Sequence, residues 1–277
     1  MKLTTAPPVQ LSMFVPTSYN VLIYGKNGTG KTIFGAGWPT PILLIDADKG
    51  IVSIIASKRI PDSAKNEIHV VSLSDISIDP GVQQPVGFLT ACAVLLSVEK
   101  EGHYDGIQPK TIVVDSLTTL SAYAMTHVQA ITQHTGKPPS LPDFGRQMNE
   151  LREFIKRGVA LDVNFICIAH EQYQKDENSG RIWCLPLVTG KLAPELGLYF
   201  DEVYHAEATS IGGVDKYQLI TKASGLITAK SRLDLPSPIE NDYNKSIAGT
   251  IDALKLKAEN LRKGGGIGVG VPSIKTN

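Results

Sequence analysis

The stretch Gly25-Lys26-Asn27-Gly28-Thr29-Gly30-Lys31-Thr32 constrains this chain more than any other, because it meets the phosphate-cradling pattern G-x-x-x-x-G-K-[ST] without a mismatch. A loop of this kind needs a strand before it and a helix after it. Asn20-Val21-Leu22-Ile23-Tyr24 is an apolar run of strand length. Thr32 to Trp38 allows only a short helix, since Pro39 and Pro41 stop it. The glycines let backbone N–H groups close around phosphate oxygens without Cβ clashes. The helix N-terminus adds its partial positive charge. Lys31 is expected to reach the β- and γ-phosphates and the Thr32 hydroxyl to ligate magnesium. Gly25, Lys26, Asn27, Gly28, Thr29, Gly30, Lys31, Thr32 and Ile33 are thus the expected cradle, with ATP and Mg as cofactors.

Continuous apolar runs at 42–46, 111–115 and 164–169 read as strands buried on both faces. Between them, helices are expected at 51–58, 86–99, 116–132 and 147–161, with a further strand at 68–71. Segment 171–189 is polar and glycine-containing and reads as a loop. Residues 202–205 and 216–220 flank Gly212-Gly213 as an antiparallel hairpin, and 227–230 continues that edge. Strands alternating with helices predict an α/β fold with a mostly parallel central sheet, late antiparallel strands and helices on both faces. The expected divisions are an extended arm at 1–19, the core at 20–240, a C-terminal helix at 241–263 and a glycine-rich tail at 264–277. In that helix Ile247, Ile251, Leu254, Ala258 and Leu261 form one stripe.

Lysine plus arginine balances aspartate plus glutamate at 27 each, so nucleic-acid binding would have to rest on local patches. Cys92, Cys167 and Cys184 make no C-x-x-C pair and no plausible metal cluster by spacing. Free thiols without a signal peptide point to a reducing cytoplasm. No apolar run approaches the ~20 residues of a membrane helix, so no membrane partner is expected.

Asp115 closes the run Thr-Ile-Val-Val-Asp and fits the acidic residue that holds the magnesium shell in P-loop ATPases. Ser116, not glutamate, follows it. Taken with the P-loop, the segments Asp46-Ala47-Asp48, Val114-Asp115-Ser116, Ile168-Ala169-His170 and Lys230-Ser231-Arg232 resemble RecA-like ATPases in order and spacing over about residues 18–240. The likeness extends to the small phage-encoded ATPases proposed as single-strand annealing proteins or minimal recombinases. It implies Asp48 as general base, with Asp46 as the alternative, and His170 as γ-phosphate sensor. Lys230 and Arg232 alternate on a strand, so both can project from one face. The resemblance makes them trans fingers that complete a neighbour's site in a homo-oligomeric filament or ring.

It further implies a DNA-stimulated ATPase with single-stranded DNA and a single-strand-binding protein as partners, in the cytoplasm of a bacterial host. DNA loops of such proteins correspond here to 135–147, with Lys137, Phe144 and Arg146, and to 171–189, with Tyr173, Lys175, Arg181 and Trp183. Cations beside aromatics suit a single-strand surface. A KaiC-like switch acting on a protein and a helicase-type motor are the alternatives that the same residues allow.

Overall fold

A computed structural model describes residues 16–75, 85–175, 177 and 180–264. The expected arm and tail lie outside the described residues over 1–15 and 265–277. In chain order the first half comprises β1 (Asn20–Gly25), α1 (Lys31–Ala36), β2 (Ile42–Asp46), α2 (Ile51–Ala56), α3 (Asp62–Lys65), β3 (Ile68–Ser72), α4 (Gly87–Glu101), β4 (Thr111–Asp115) and α5 (Leu117–Ile131). There follow α6 (Leu141–Ala160), β5 (Asn164–Ala169), β6 (Glu171–Lys175), β7 (Ile182–Pro186), α7 (Leu192–Glu195), β8 (Glu202–Ile211) and β9 (Val214–Ile220). Last come β10 (Lys230–Ser231), β11 (Ile239–Glu240), α8 (Tyr243–Ser246) and α9 (Ala248–Gly264).

The sheet runs β11-β9-β8-β1-β5-β4-β2-β3, with β10 paired to β8. Strands β8, β1, β5, β4, β2 and β3 are parallel, and β9, β10 and β11 join antiparallel. This is the α/β architecture expected from the sequence. Every residue of β2, β4 and β5 is buried, which is why these strands read as unbroken apolar runs. Alternation divides them between two cores. Leu22, Tyr24, Leu43, Ile45, Ile112, Val114 and Phe165 pack under α4, α5 and α6. Val21, Ile23, Ile42, Leu44, Val113 and Ile166 pack under α1 and α2 with Ile247 and Ile251.

The order places β5 between the P-loop strand β1 and the Asp115 strand β4. In register, Tyr24 faces Ala169, Ile168 faces Asp115, and Asp115 faces Asp46. The carboxyl ends of these parallel strands therefore share one rim, the position where open α/β sheets bind ligands.

Three local expectations need correction. Helix α6 begins at Leu141, not at 147, because Ser140 and Asp143 form a capping box: Asp143 N–H donates to Ser140 Oγ, and Ser140 N–H donates to the Asp143 carboxylate at 2.8 Å. These bonds, Ser140 first and then His134, hold the Asp143 carboxyl well below the usual carboxylate range. Segment 171–189 is largely the antiparallel hairpin β6–β7 rather than a loop, with Tyr173 opposite Cys184 and Lys175 opposite Ile182. The stripe of α9 is covered only in its early part: Ile251 is buried, whereas Leu261 is 52% exposed.

Gly158 lets α6 approach β5, and a Cβ there would lie 2.2 Å from the Phe165 ring. Gly158→Ala should cost about 1–3 kcal/mol, as overpacking of a filled core does. The check is the urea midpoint, which should fall at unchanged slope; an unchanged midpoint would contradict this packing.

Candidate functional site

The P-loop leaves β1 at Gly25, whose φ of 154° puts its open side against Ala206: a Cβ would stand 2.4 Å from that carbonyl oxygen. Gly30, at φ 80°, turns the chain into α1. Lys31 is buried and donates to the carbonyl oxygens of Gly25 (2.9 Å) and Lys26 (2.7 Å), and burial pushes its pKa down. The Thr29 hydroxyl also donates to the Lys26 carbonyl, at 2.8 Å. The loop is thus braced by its own side chains.

Across β5, the Thr32 hydroxyl donates to Asp115 Oδ2 at 2.6 Å. Burial pushes the Asp115 carboxyl up to about 6; the Thr32 bond opposes this, and the charges of Asp48 and Asp46 add to it. Asp46 is buried and also raised by burial, and its Oδ1 accepts the Gly50 N–H at 3.2 Å. Asp48 instead lines the cavity at the loop. Its Oδ1 accepts the Ser116 hydroxyl at 3.0 Å, and its Oδ2 meets His170 Nε2 at 3.1 Å. The structure therefore joins two residues that the sequence had singled out on separate strands. Of the two candidate acids, Asp48 faces the cavity and Asp46 holds its own turn.

The cavity encloses about 470 Å³. Besides Asn27–Ile33, Asp48, Asp115 and His170, it is lined by Ser53, Ala56, Ser57 and Arg59 at α2 and by Tyr217 on β9. The Arg59 guanidinium lies 5.5 Å from the centre of the Tyr217 ring. Asn241, fully buried, donates from Nδ2 to the Thr29 carbonyl at 2.9 Å. Sequence reasoning missed Arg59, Tyr217 and Asn241. No local pattern marks them: Tyr217 and Asn241 reach the loop through the sheet order, and Arg59 from the connection after α2. These groups fit a nucleotide: backbone N–H groups, a buried lysine and an Arg–Tyr wall surround one volume. They fit magnesium as well, because Thr32 and Asp115 offer adjacent oxygens where three carboxylates repel one another. Thr32 and Asp115 would hold the ion, which would screen phosphate charge.

The other candidates lie elsewhere. Lys230 is opposite Val203, which faces Leu22, so it sits below the P-loop along the strand. Burial and the Arg232 charge lower its pKa. Arg232 forms an ion pair with Asp201, whose Oδ2 accepts the Asn20 N–H at the start of β1. Both cations are thus remote from the cavity of their own chain. Lys137 lies in the turn before α6, while Phe144 and Arg146 ride on that helix, Arg146 within 3.8 Å of Glu150. On the hairpin, alternation puts Tyr173 and Lys175 on one face and Arg181 with Trp183 on the other. Arg181 covers the Trp183 ring at 3.9 Å. Trp183 also lines a second cavity of about 530 Å³ with Gln174, Leu185, Pro194 and Thr228.

A protein-family profile described as an AAA domain matches residues 17–233. The chain belongs to that family. No curated protein matches by sequence. Among solved structures, the chain is similar to the flagellar accessory protein FlaH of Methanocaldococcus jannaschii (13% identity, 76% of this chain and 80% of that one, TM-score 0.40). A KaiC-like protein of Pyrococcus horikoshii OT3 is similar at 14% identity, 73% and 77% coverage and TM-score 0.37. So is an ATPase from the type III secretion system of pathogenic bacteria, at 15% identity, 68% and 51% coverage and TM-score 0.42. The AAA domain, with its P-loop and Asp115 in place, is an AAA-type P-loop ATPase domain. No helix among its described residues is long and apolar enough to cross a membrane.

The raised Asp115 pKa has a stability consequence for this AAA domain in the absence of metal and nucleotide. The folded state holds the Asp115 proton more tightly than the unfolded chain, so this contribution is full below about pH 4 and is lost as pH rises through about 6. Asp115→Asn should therefore gain stability relative to wild type at pH 8, on the order of 3 kcal/mol at most, and little at pH 4. Thermal unfolding at the two pH values checks this; a difference that does not change with pH would contradict it.

Proposed function

We propose that this AAA domain is a magnesium-dependent ATPase that assembles with copies of itself on single-stranded DNA and promotes strand annealing or recombination. The observation that supports it best is the attachment of the hairpin to the catalytic rim. Strand β6 starts immediately after His170, and the Leu187 N–H at the far end of β7 donates back to the His170 carbonyl at 2.7 Å. The Thr118 hydroxyl bonds to both sides of this joint, accepting the His170 N–H at 3.0 Å and donating to the Leu187 carbonyl at 2.8 Å. A ligand gripping Tyr173 and Lys175, or Arg181 and Trp183, would act on the residue that holds Asp48. Stacking rings beside cations are what a single strand requires.

In this reading Asp48 orients and deprotonates the attacking water, and His170 senses the γ-phosphate. Lys31 and the loop amides bind the phosphates. Lys230 and Arg232, remote from their own cavity, enter the site of an adjacent copy, where release from Asp201 would free Arg232. Fingers of this kind supply about 10³–10⁵ in rate in GTPases.

The even balance of 27 basic and 27 acidic residues favours a second reading, a KaiC-like switch whose partner is a protein. ATP turnover with and without a single-stranded oligonucleotide separates the two. The DNA reading expects stimulation that weakens steeply as salt rises. No stimulation and no salt-sensitive oligonucleotide binding would leave the switch. Lys230→Ala and Arg232→Ala should each lower turnover about 10³-fold with nucleotide binding retained. Full wild-type turnover in a protein shown to be monomeric, independent of its concentration, would exclude trans fingers.

A further inference from the structure

Strands β6, β7 and β8 bring Glu171, Cys184 and His205 together beside the P-loop strand, and the nucleotide site uses none of them. Their donor atoms all lie within 4.8 Å of one another. Cys184 Sγ is 3.7 Å from both Glu171 Oε2 and His205 Nε2, and the latter two are 2.8 Å apart. The cluster is shut in: the side chains of Glu171 and His205 are 6% and 8% exposed, Cys184 is 1% exposed, and the Tyr24 ring stands edge-on to the imidazole at 5.1 Å.

A buried ion pair alone accounts poorly for this arrangement. Glu171 Oε1 and His205 Nδ1 are buried without a hydrogen-bond partner, and buried polar atoms are rarely left so. A thiol, a weak donor, fills the place against both groups. Carboxylate, thiolate and imidazole are donor types of zinc, at about 2.0–2.3 Å from the metal, so tetrahedral donors stand about 3.2–3.8 Å apart. Both sulfur contacts already have that spacing, while the Nε2–Oε2 pair must open by about half an ångström.

We propose that Glu171, Cys184 and His205 form a zinc site that clamps the β6–β7 hairpin to β8. Two anionic ligands, carboxylate and thiolate, match the charge of the ion. Binding releases the Cys184 thiol proton to solvent. A neutral imidazole moves its proton from Nε2 to Nδ1, which faces Glu207 Oε1 at 3.4 Å without hydrogen-bond geometry in the metal-free arrangement. A small ring rotation turns that contact into the carboxylate–histidine support that metal sites use. Tyr173, opposite Cys184 on the hairpin face that carries Glu171 and 57% exposed, marks the outward side, where water takes the fourth position. Lys26 is the P-loop cation whose charge acts on both Glu171 and Cys184. Since His205 is opposite Tyr24 and Ala206 opposite Gly25, the metal fixes the hairpin relative to the P-loop. None of this depends on what the hairpin binds.

The test is titration of the full chain with Zn²⁺ against a chromophoric chelator, and with Co²⁺ followed by its thiolate charge-transfer absorption. One equivalent of metal per chain is expected. The Co²⁺ thiolate band should vanish in Cys184→Ser and persist in Cys92→Ser. Glu207→Gln should keep the stoichiometry and weaken binding about 10–100-fold; this variant leaves the three ligands intact, so its result does not depend on the folding of a ligand variant. A wild-type chain that fails to compete with the chelator, or a band that survives in Cys184→Ser, would overturn the site.

Discussion

Parallel strands buried on both faces cannot end anywhere but at a common rim, and this constraint organises the whole molecule. With β5 inserted between β1 and β4, the P-loop, Asp115, Asp48 and His170 emerge from neighbouring strand ends. The Thr32–Asp115 hydrogen bond spans that insertion and ties the first turn of α1 to β4. The Asp48–His170 contact spans β4 in turn, joining the residues that follow β2 and β5. The site is therefore a consequence of sheet order, and its chemistry comes from crowding acids into a place where burial already disfavours their charge. A divalent cation and phosphates suit such a rim because they exchange repulsion between carboxylates for attraction to the ion.

The same rim joins the candidate site to an exposed element. His170 meets Asp48 through its side chain and the hairpin through its main chain. Two levels of fastening follow. The hairpin is held at its base by Thr118 and Leu187, and at its face by the trio Glu171, Cys184 and His205. Movement of the hairpin can reach Asp48 through His170 over a single side chain.

Legibility in the sequence followed how local each signal was. The P-loop and the closing aspartates of β2 and β4 are contiguous patterns, and the runs around them name their own strands. Asp48 and His170 could be proposed from strand ends, but not their hydrogen bond, which depends on β4 alone separating β2 from β5. Tyr217 and Asn241 were invisible because β9 and β11 reach the P-loop only through the antiparallel extension, and Arg59 because it follows α2 with no motif around it. The start of α6 was missed although Ser140-Leu141-Pro142-Asp143 carries a readable capping box. The hairpin was taken for a loop because its polar residues dilute the period-two pattern. Spacing suggested no metal cluster for Cys184, yet three strands set it against residues 13 positions before and 21 after it in sequence.

The central claim is that Asp48 and His170 act as one unit at the phosphate end of the site. A double-mutant cycle on ATP hydrolysis under single-turnover conditions tests it, using Asp48→Asn, His170→Ala and the combination. Residues acting as a unit give a double variant no worse than the poorer single one, a coupling of about 1–3 kcal/mol. Losses that simply add would show that the two residues work independently and would contradict the account.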